Sequence, residues 1–236
     1  MIHPPRFALG LLPLGLLLAL YLGGCAAPPA EIAVSPNDVQ ADDAQARALR
    51  QQHRARIANI AAWRVKGTMA VKTGRAGRGG RANLIWNHQR DRQEIELYGP
   101  FGGGRVRIAA TDGRAVLRDT KGANIEAASV AEALRRRLGW PVPFDGLRHW
   151  ARGLADADAT ELAWDRAGRL RSLRQGDWLV EFLEYNAVGA LALPRRLTIT
   201  AAPGRIEVYS RDGEYLGDEF SVKVVLRRWW DIRFES

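Results

Sequence analysis

The sequence predicts a mainly β fold: a strongly curved antiparallel sheet of about eleven strands, with an N-terminal helix and a mid-chain helical insert. Three observations support this prediction. Apolar and polar residues alternate through many short segments after residue 62, whereas the segments 127–138 and 144–152 have helical spacing and end at Gly139 and Gly153. No regular succession of strand and crossover helix is present, so a parallel sheet is not expected.

The N-terminal helix is predicted for residues 37–61. Its apolar stripe recurs every three or four residues, at Leu49, His53, Ile57 and Ile60. Asp42 and Asp43 fall in the first turns, where the helix dipole favours acidic side chains.

The strands are predicted from alternation with a period of two residues. They cover residues 63–71, 82–86, 95–97, 106–110 and 115–119, and then 160–165, 169–174, 177–185, 193–201, 205–211 and 220–229. Asp112-Gly113 predicts a tight turn between the fourth and fifth of them.

The first residues resemble a bacterial lipoprotein signal. An uncharged apolar run, 7–21, follows Arg6, and it is shorter than the roughly 20 residues that span a bilayer. It leads into Leu22-Gly23-Gly24-Cys25, which resembles a lipobox and contains the only cysteine of the chain. We therefore expect a signal peptide at 1–24, acylation of Cys25, a tether at 25–36 and a single domain at 37–236. A signal-anchor helix with a chance cysteine is the alternative.

Composition agrees with export. The residue after Cys25 is Ala26 and not an aspartate, which in the lipoproteins it resembles implies transport to the outer membrane. Once Cys25 is acylated no thiol remains for a disulfide, so a packed core must stabilise the domain, and 47% of the residues are hydrophobic. The net charge of +9 predicts a basic surface that faces anionic headgroups. Nucleic acid is the usual alternative, but export disfavours it.

Large apolar residues are concentrated on one face of the predicted strands and in the insert. The candidate residues for an apolar cavity are Trp63, Met69, Trp86, Leu97, Trp150, Trp178 and Phe182. A strongly curved sheet of this size can leave a space that its own side chains do not fill, as in barrels that hold one ligand. The alternative is that these residues simply fill a core.

A glycine-rich segment, 99–104, separates two predicted strands and carries Pro100, Phe101 and Gly102. It predicts a flexible loop that carries a large apolar residue at its tip, with no neighbour in sequence to bury it. A phosphate-binding loop needs a helix after the glycines, but residues 105–108 alternate as a strand. A mobile hairpin with a tucked-in phenylalanine remains the alternative. A second glycine-rich segment, 74–81, is interpreted as a solvated hairpin near headgroups and not as an RNA-binding run.

The order of these motifs resembles the LolB family of outer-membrane lipoprotein receptors. The matching segments are the lipobox, the helix, the strands at 63–67 and 84–86, Tyr98-Gly99-Pro100-Phe101-Gly102, 139–143, 147–154, 175–178, 193–197 and a last strand ending at Trp229. The resemblance covers nearly the whole mature chain. It implies an incomplete eleven-stranded antiparallel barrel closed by helices, an apolar cavity for acyl chains and no catalytic residue. In the family, a leucine at the tip of this loop is exposed and needed for membrane delivery, and Phe101 stands at that position here. The resemblance therefore implies that Pro100, Phe101 and Gly102 form a membrane-insertion loop.

The resemblance also implies partners and a location. We expect the chain to be anchored in the outer membrane and to face the periplasm. It would accept acylated lipoproteins from a LolA-like carrier and insert them into the inner leaflet without an energy source. We expect it to be a monomer that contacts phospholipid, with no cofactor, metal or nucleic acid. An enzyme is the first rival, but His53, His88 and His149 adjoin no nucleophile motif or metal-ligand spacing. A structural or partner-binding envelope lipoprotein is the second. The segment 210–220 is long for the family and has no predicted role.

Overall fold

The computed structural model describes residues 44–74, 79–99, 104–210 and 212–235. The helices are α1 (Ala44–Ala58), α2 (Val130–Leu138) and α3 (Phe144–Trp150). The first strands are β1 (Ile60–Thr73), β2 (Gly79–Gln89), β3 (Arg92–Tyr98), β4 (Arg105–Thr111), β5 (Arg114–Asp119) and β6 (Asn124–Ala127). The later strands are β7 (Thr160–Trp164), β8 (Leu170–Gln175), β9 (Trp178–Val188), β10 (Leu191–Ala201), β11 (Val208–Tyr209), β12 (Tyr215–Gly217) and β13 (Phe220–Phe234).

Eleven of the strands form one antiparallel sheet in the order β6-β5-β4-β3-β2-β1-β13-β10-β9-β8-β7. The sheet is not closed, because β6 and β7 lie at its two edges and do not pair with each other among the described residues. The predicted fold class, mainly β with an incomplete antiparallel barrel, is therefore confirmed. Among the described residues, no helix is both long enough and apolar enough to cross a bilayer.

The sheet curves around a single hydrophobic core. Laid flat, eleven strands would be roughly 50 Å wide, which two short helices cannot cover. The core nevertheless receives apolar side chains from every one of these strands and from α2 and α3. Burial alternates along most of the two longest strands, so each has one inner face in the core and one outer face toward solvent.

The helices α2 and α3 connect the two edges of the sheet. Ser129 caps α2, since its side chain accepts a hydrogen bond from the backbone N–H of Glu132. Gly139 ends the helix in the left-handed conformation, with φ of 71°. The buried side chains of the insert include Val130 and Leu134 from α2 and Leu147 from α3. The insert therefore covers the interior between β6 and β7.

Several predicted boundaries were wrong. The segment 127–129 is not helical, because Ala127 ends strand β6, which the sequence did not predict, and Ser129 is the cap of α2. The predicted strand 205–211 is reduced to β11, which pairs with β12 outside the main sheet. Within the segment 210–220, β12 thus forms a small hairpin with β11, and Phe220 begins β13. Helix α1 ends at Ala58 and not near Ala61, because Ile60 already pairs with Phe234 in the sheet.

A β-bulge changes the alternation of β13. Lys66 pairs with Arg228 and Gly67 pairs with Leu226, so Arg227 is an extra residue on β13. Gly67 permits this close approach, since a Cβ atom there would lie 2.1 Å from the carbonyl oxygen of Val225. After the bulge Trp229 faces the core, and the two preceding arginines are both exposed.

Candidate functional site

An aromatic cluster fills part of the interior. The ring centroids of Trp63 lie 4.8 Å from those of Trp86 and 5.2 Å from those of Trp229. Trp86 also contacts Phe144 of the insert at 5.0 Å. The indole N–H groups of Trp63 and Trp229 have no acceptor among the described residues. A water or a bound molecule with an oxygen acceptor would satisfy them, as buried N–H groups usually are.

The other candidate cavity residues face the same interior. Met69 and Leu97 are 0% and 2% exposed on β1 and β3, and Phe182 is 4% exposed on β9. Trp178 is only partly buried, and its ring lies 6.1 Å from that of Phe220. The structure therefore brings all the candidates to the inner face of the sheet or under the insert. The rings contact one another, so an acyl chain would have to displace part of this packing.

Polar contacts fasten the insert over the interior. The Trp150 indole N–H donates to Gln175 Oε1 at 2.9 Å, and Arg152 Nη1 donates to the Ile60 carbonyl at 3.2 Å. At the other edge, Arg137 Nε donates to Asp119 Oδ2 at 2.6 Å. The backbone N–H of Ala123 and the Arg137 guanidinium lower the pKa of Asp119. The insert is thus held at both edges by a few side chains and by no strand pairing.

The base of the glycine-rich loop is well defined. The Gly99 backbone N–H donates to the Gly104 carbonyl at 3.2 Å, and Asn83 Nδ2 donates to the Gly99 carbonyl at 3.4 Å. Pro100, Phe101 and Gly102, the predicted membrane-insertion residues, lie outside the described residues, as does the predicted lipidation site Cys25. The β1–β2 and β3–β4 connections begin at the same end of the strands, because β1 to β4 are successive antiparallel neighbours in the sheet.

The three histidines among the described residues all have a pKa lowered by burial. Burial lowers the pKa of His88 to about 4, assisted by the charges of Arg152 and Arg148, and its ring stacks on Trp63 at 5.3 Å. Burial also lowers the pKa of His53 and of His149, although Asp156 partly opposes the shift of His149. Among the described residues, no group of His, Cys, Asp and Glu has the arrangement of a metal site.

A groove of about 710 Å³ lies on the outer face of β13 and β1–β5. Its lining includes Arg64, Ile85, Glu96, Arg107, Arg118 and Trp230. Seven of its fifteen lining residues are charged, so an acyl chain in this groove would lie against charged as well as apolar side chains.

Sequence reasoning missed three core aromatics, Phe144, Phe220 and Trp229, as members of the candidate site. Phe144 was detectable as the first apolar residue of the predicted insert helix, and Phe220 as the start of an alternating run. Trp229 was not, because simple alternation from Val222, Val224 and Leu226 continues to Arg228 and not to Trp229. Only the bulge turns Trp229 inward.

Comparison with known proteins gives consistent matches. The family model described as outer membrane lipoprotein LolB matches residues 61–229. An outer-membrane lipoprotein LolB of Halorhodospira halophila is 34% identical over 196 residues, which cover 82% of this chain and 90% of that protein. The protein of the same name from Chromohalobacter salexigens is 29% identical over 206 residues, 87% of this chain and 91% of its own length. A solved LolA superfamily structure from Nitrosomonas europaea covers 81% of this chain and 94% of its own, with 8% identity and a TM-score of 0.46.

Proposed function

Because the chain belongs to the LolB family of outer membrane lipoproteins, we propose that it accepts acylated lipoproteins from a soluble, LolA-like periplasmic carrier and inserts them into the inner leaflet of the outer membrane. It performs this transfer without an energy source and without a catalytic residue. Its partners are the carrier, the acylated clients and membrane phospholipid, and it acts as a monomer.

One observation supports this function best: the apolar interior is closed by helices and not by strands. The edges β6 and β7 are joined through α2 and α3, so the insert can move away from the core without breaking a ladder of sheet hydrogen bonds. The space that opens is lined by Trp63, Trp86 and Trp178. These rings supply apolar area for acyl chains. In the closed state Trp63 and Trp86 cover each other, and Trp178 lies against Phe220.

The direction of transfer follows from transfer free energies. Each buried methylene contributes about 0.8 kcal/mol, so several long acyl chains gain tens of kcal/mol in a bilayer. Non-covalent binding to a protein saturates near about −18 to −21 kcal/mol. A receptor cavity therefore holds the chains less strongly than the membrane does, and release to the membrane is downhill. The receptor supplies a path on which the chains never meet water.

Two segments outside the described residues complete the proposal. Cys25 carries the lipid anchor that keeps the chain at the membrane. The loop with Pro100, Phe101 and Gly102 brings an apolar tip to the headgroup region, and its base is fixed by the Gly99–Gly104 hydrogen bond. Phe101 replaces the leucine of the family, and we propose that it has the same role.

The test is a transfer assay with the full chain anchored in vesicles and an acylated lipoprotein supplied in complex with its carrier. We expect the lipoprotein to leave the carrier and become membrane-bound without ATP. If the lipoprotein stays on the carrier at the rate seen with empty vesicles, the receptor function is wrong.

The second candidate is a structural envelope lipoprotein that only binds protein partners. The aromatic cluster favours this second candidate, because Trp63, Trp86 and Phe144 already pack against one another in the interior. Extraction of the purified chain discriminates between the two. A receptor carries acyl lipid or takes up an apolar dye, whereas a scaffold with a permanently filled core does neither.

A further inference from the structure

The outer face of β2, β1 and β13 carries a strip of cations with no acidic partner. Among the described residues, none of these side chains forms an ion pair. We call this set the basic strip: Lys66, Lys72, Arg81, Lys223, Arg227 and Arg228. All six are exposed. Of the six, only Arg227 forms a side-chain hydrogen bond within the described part of the chain, from Nη1 to Thr68 Oγ1 at 3.5 Å.

Flanking cations on the same sheet are neutralised. Glu96 on β3 lies 2.7 Å from Arg105 and 3.2 Å from Arg107. On the other side, Glu184 lies 3.1 Å from Arg195 and 3.3 Å from Arg196. The basic strip therefore differs from these two flanking clusters, in which each arginine has an acidic partner.

The strand register brings the like charges together. Lys66 and Arg228 are directly paired, and Arg81 and Lys223 face Ala70 from its two sides. Like charges at facing positions of a sheet destabilise it. The bulge at Gly67 adds to this, because it exposes Arg227 and Arg228 together. An anionic surface bound there relieves the repulsion.

The basic strip extends to the end of the strands at which the glycine-rich loop begins. On β2, Asn83 pairs with Tyr98 at the end of β3, and Arg81 lies two residues farther toward the β1–β2 turn. Lys72 pairs with Gly79 at the start of β2 and with Ser221 on β13. The acidic residues Asp218 and Glu219 also lie near this end of the strands, but among the described residues neither forms an ion pair with the basic strip.

From these observations we infer that the basic strip is a docking surface for anionic phospholipid headgroups. Docking orients the anchored domain so that the end of the strands at which the glycine-rich loop begins faces the bilayer. The occupant is a membrane and not an acidic protein, because the family is an outer-membrane lipoprotein family and a bilayer is permanently beside the domain. The inference deepens the proposed function. The role of docking rests on that function, but docking itself can be measured without a client lipoprotein.

The test uses the full chain anchored in vesicles, with Ser221 replaced by a labelled cysteine. Because Cys25 is the only native cysteine and is expected to be acylated, the new thiol is the only free one. Energy transfer to headgroup-labelled lipid reports docking. We expect strong transfer in phosphatidylcholine vesicles that contain phosphatidylglycerol, and weak transfer in phosphatidylcholine alone or at raised salt.

The variant K72Q/R81Q/K223Q removes three strip charges. Each basic residue near an anionic surface contributes about fivefold to binding, so the docking equilibrium should fall about a hundredfold. The matched control R90Q/R92Q/R233Q removes three exposed charges at the opposite end of the strands, which likewise form no ion pair among the described residues, and should dock normally. Thermal unfolding checks that both variants are folded.

Equal energy transfer in neutral and anionic vesicles, or normal docking of K72Q/R81Q/K223Q, overturns the inference. So does a variant that docks normally but no longer takes lipoprotein from the carrier, because the strip then contacts the carrier. A wild-type chain that delivers lipoprotein without docking contradicts only this inference. A chain that docks but never delivers contradicts only the proposed function.

Discussion

Burial changes the acid–base chemistry of His88. Its ring stacks on Trp63, and burial lowers its pKa from 6.5 to about 4, assisted by the positive charges of Arg152 and Arg148. Desolvation and nearby positive charge both disfavour the protonated form. The residue is therefore a neutral part of the aromatic cluster at pH 7, and not a proton donor.

This shift predicts acid sensitivity. Between about pH 6.5 and pH 4 the unfolded chain binds a proton at position 88 and the folded chain does not, so stability falls as the pH is lowered through this window. The full shift corresponds to about 3 kcal/mol, which we reduce to about 2 kcal/mol because the side chain is partly exposed. Denaturant unfolding of wild type and His88→Gln at both pH values measures the difference. An identical pH dependence in the two proteins contradicts this.

Phe101 gives a second prediction at the scale of a residue. If the loop tip is exposed in solution, Phe101→Ala leaves the free energy of unfolding almost unchanged, whereas loss of a fully buried phenylalanine costs about 3–5 kcal/mol. Phe101→Glu should accept lipoprotein from the carrier but fail to release it, because a carboxylate is repelled by anionic headgroups and is costly to insert. Phe101→Leu should behave as wild type. Normal delivery by a folded Phe101→Glu protein means that membrane insertion occurs elsewhere.

Among the elements, α2 shows how a short helix is held over an apolar interior. Its cap Ser129 satisfies the backbone N–H of Glu132 at 3.1 Å, and the Glu132 side chain accepts from the backbone N–H of Ala128 at 2.9 Å. The Arg137–Asp119 pair then ties its last turn to β5. Since a helix of this length has little stability of its own, these contacts and the core side chains maintain it.

Ser129→Ala should therefore destabilise the insert by about 1 kcal/mol, because one backbone N–H of α2 loses its acceptor. Ser129→Asp preserves an acceptor and adds a favourable charge at the helix N-terminus, so it should retain wild-type stability. Equilibrium unfolding measures both values. Equal stability of the alanine and aspartate variants would show that the cap does not support the helix.

For the molecule as a whole, the interior is both a core and the proposed acyl-chain site. We expect acyl chains and an apolar dye to compete, and to change tryptophan fluorescence as the interior opens. Trp178→Phe should remove part of the signal, since its ring is on the inner face and partly exposed. Trp230→Phe is the control, because Trp230 lines the outer groove. No dye binding and no spectral change with lipid would identify the aromatic cluster as a permanent core.

The predicted lipid anchor at Cys25 also concerns the whole molecule, because it determines where the chain is held. Cys25→Ser should block acylation and give an uncleaved or soluble product, because serine cannot take the thioether-linked diacylglyceryl group. Acyl-chain binding should survive, since it depends on the folded domain and not on the tether. Normal retention of Cys25→Ser at the outer membrane falsifies the anchoring role.

Local patterns in the sequence were sufficient for the fold class. Alternation located β1 to β5 and most of the later strands, and it assigned Trp63, Met69 and Trp86 to the buried face. The order of the motifs was sufficient to predict the family, because order and spacing are properties of the sequence itself. These predictions succeeded because burial on one face imposes a period of two on each strand separately.

Only the tertiary structure decided the features that depend on partners distant in sequence. The short strand β6 forms because β5 offers it an edge, and its four residues alternate over too short a length to predict a strand. The bulge opposite Gly67 arises from the pairing of β1 with β13, which are far apart in the chain, and it reverses the inner and outer faces after Leu226. That reversal packs Trp229 against Trp63 and exposes Arg227 and Arg228. Register is a property of two strands together, so no pattern within one of them contains it.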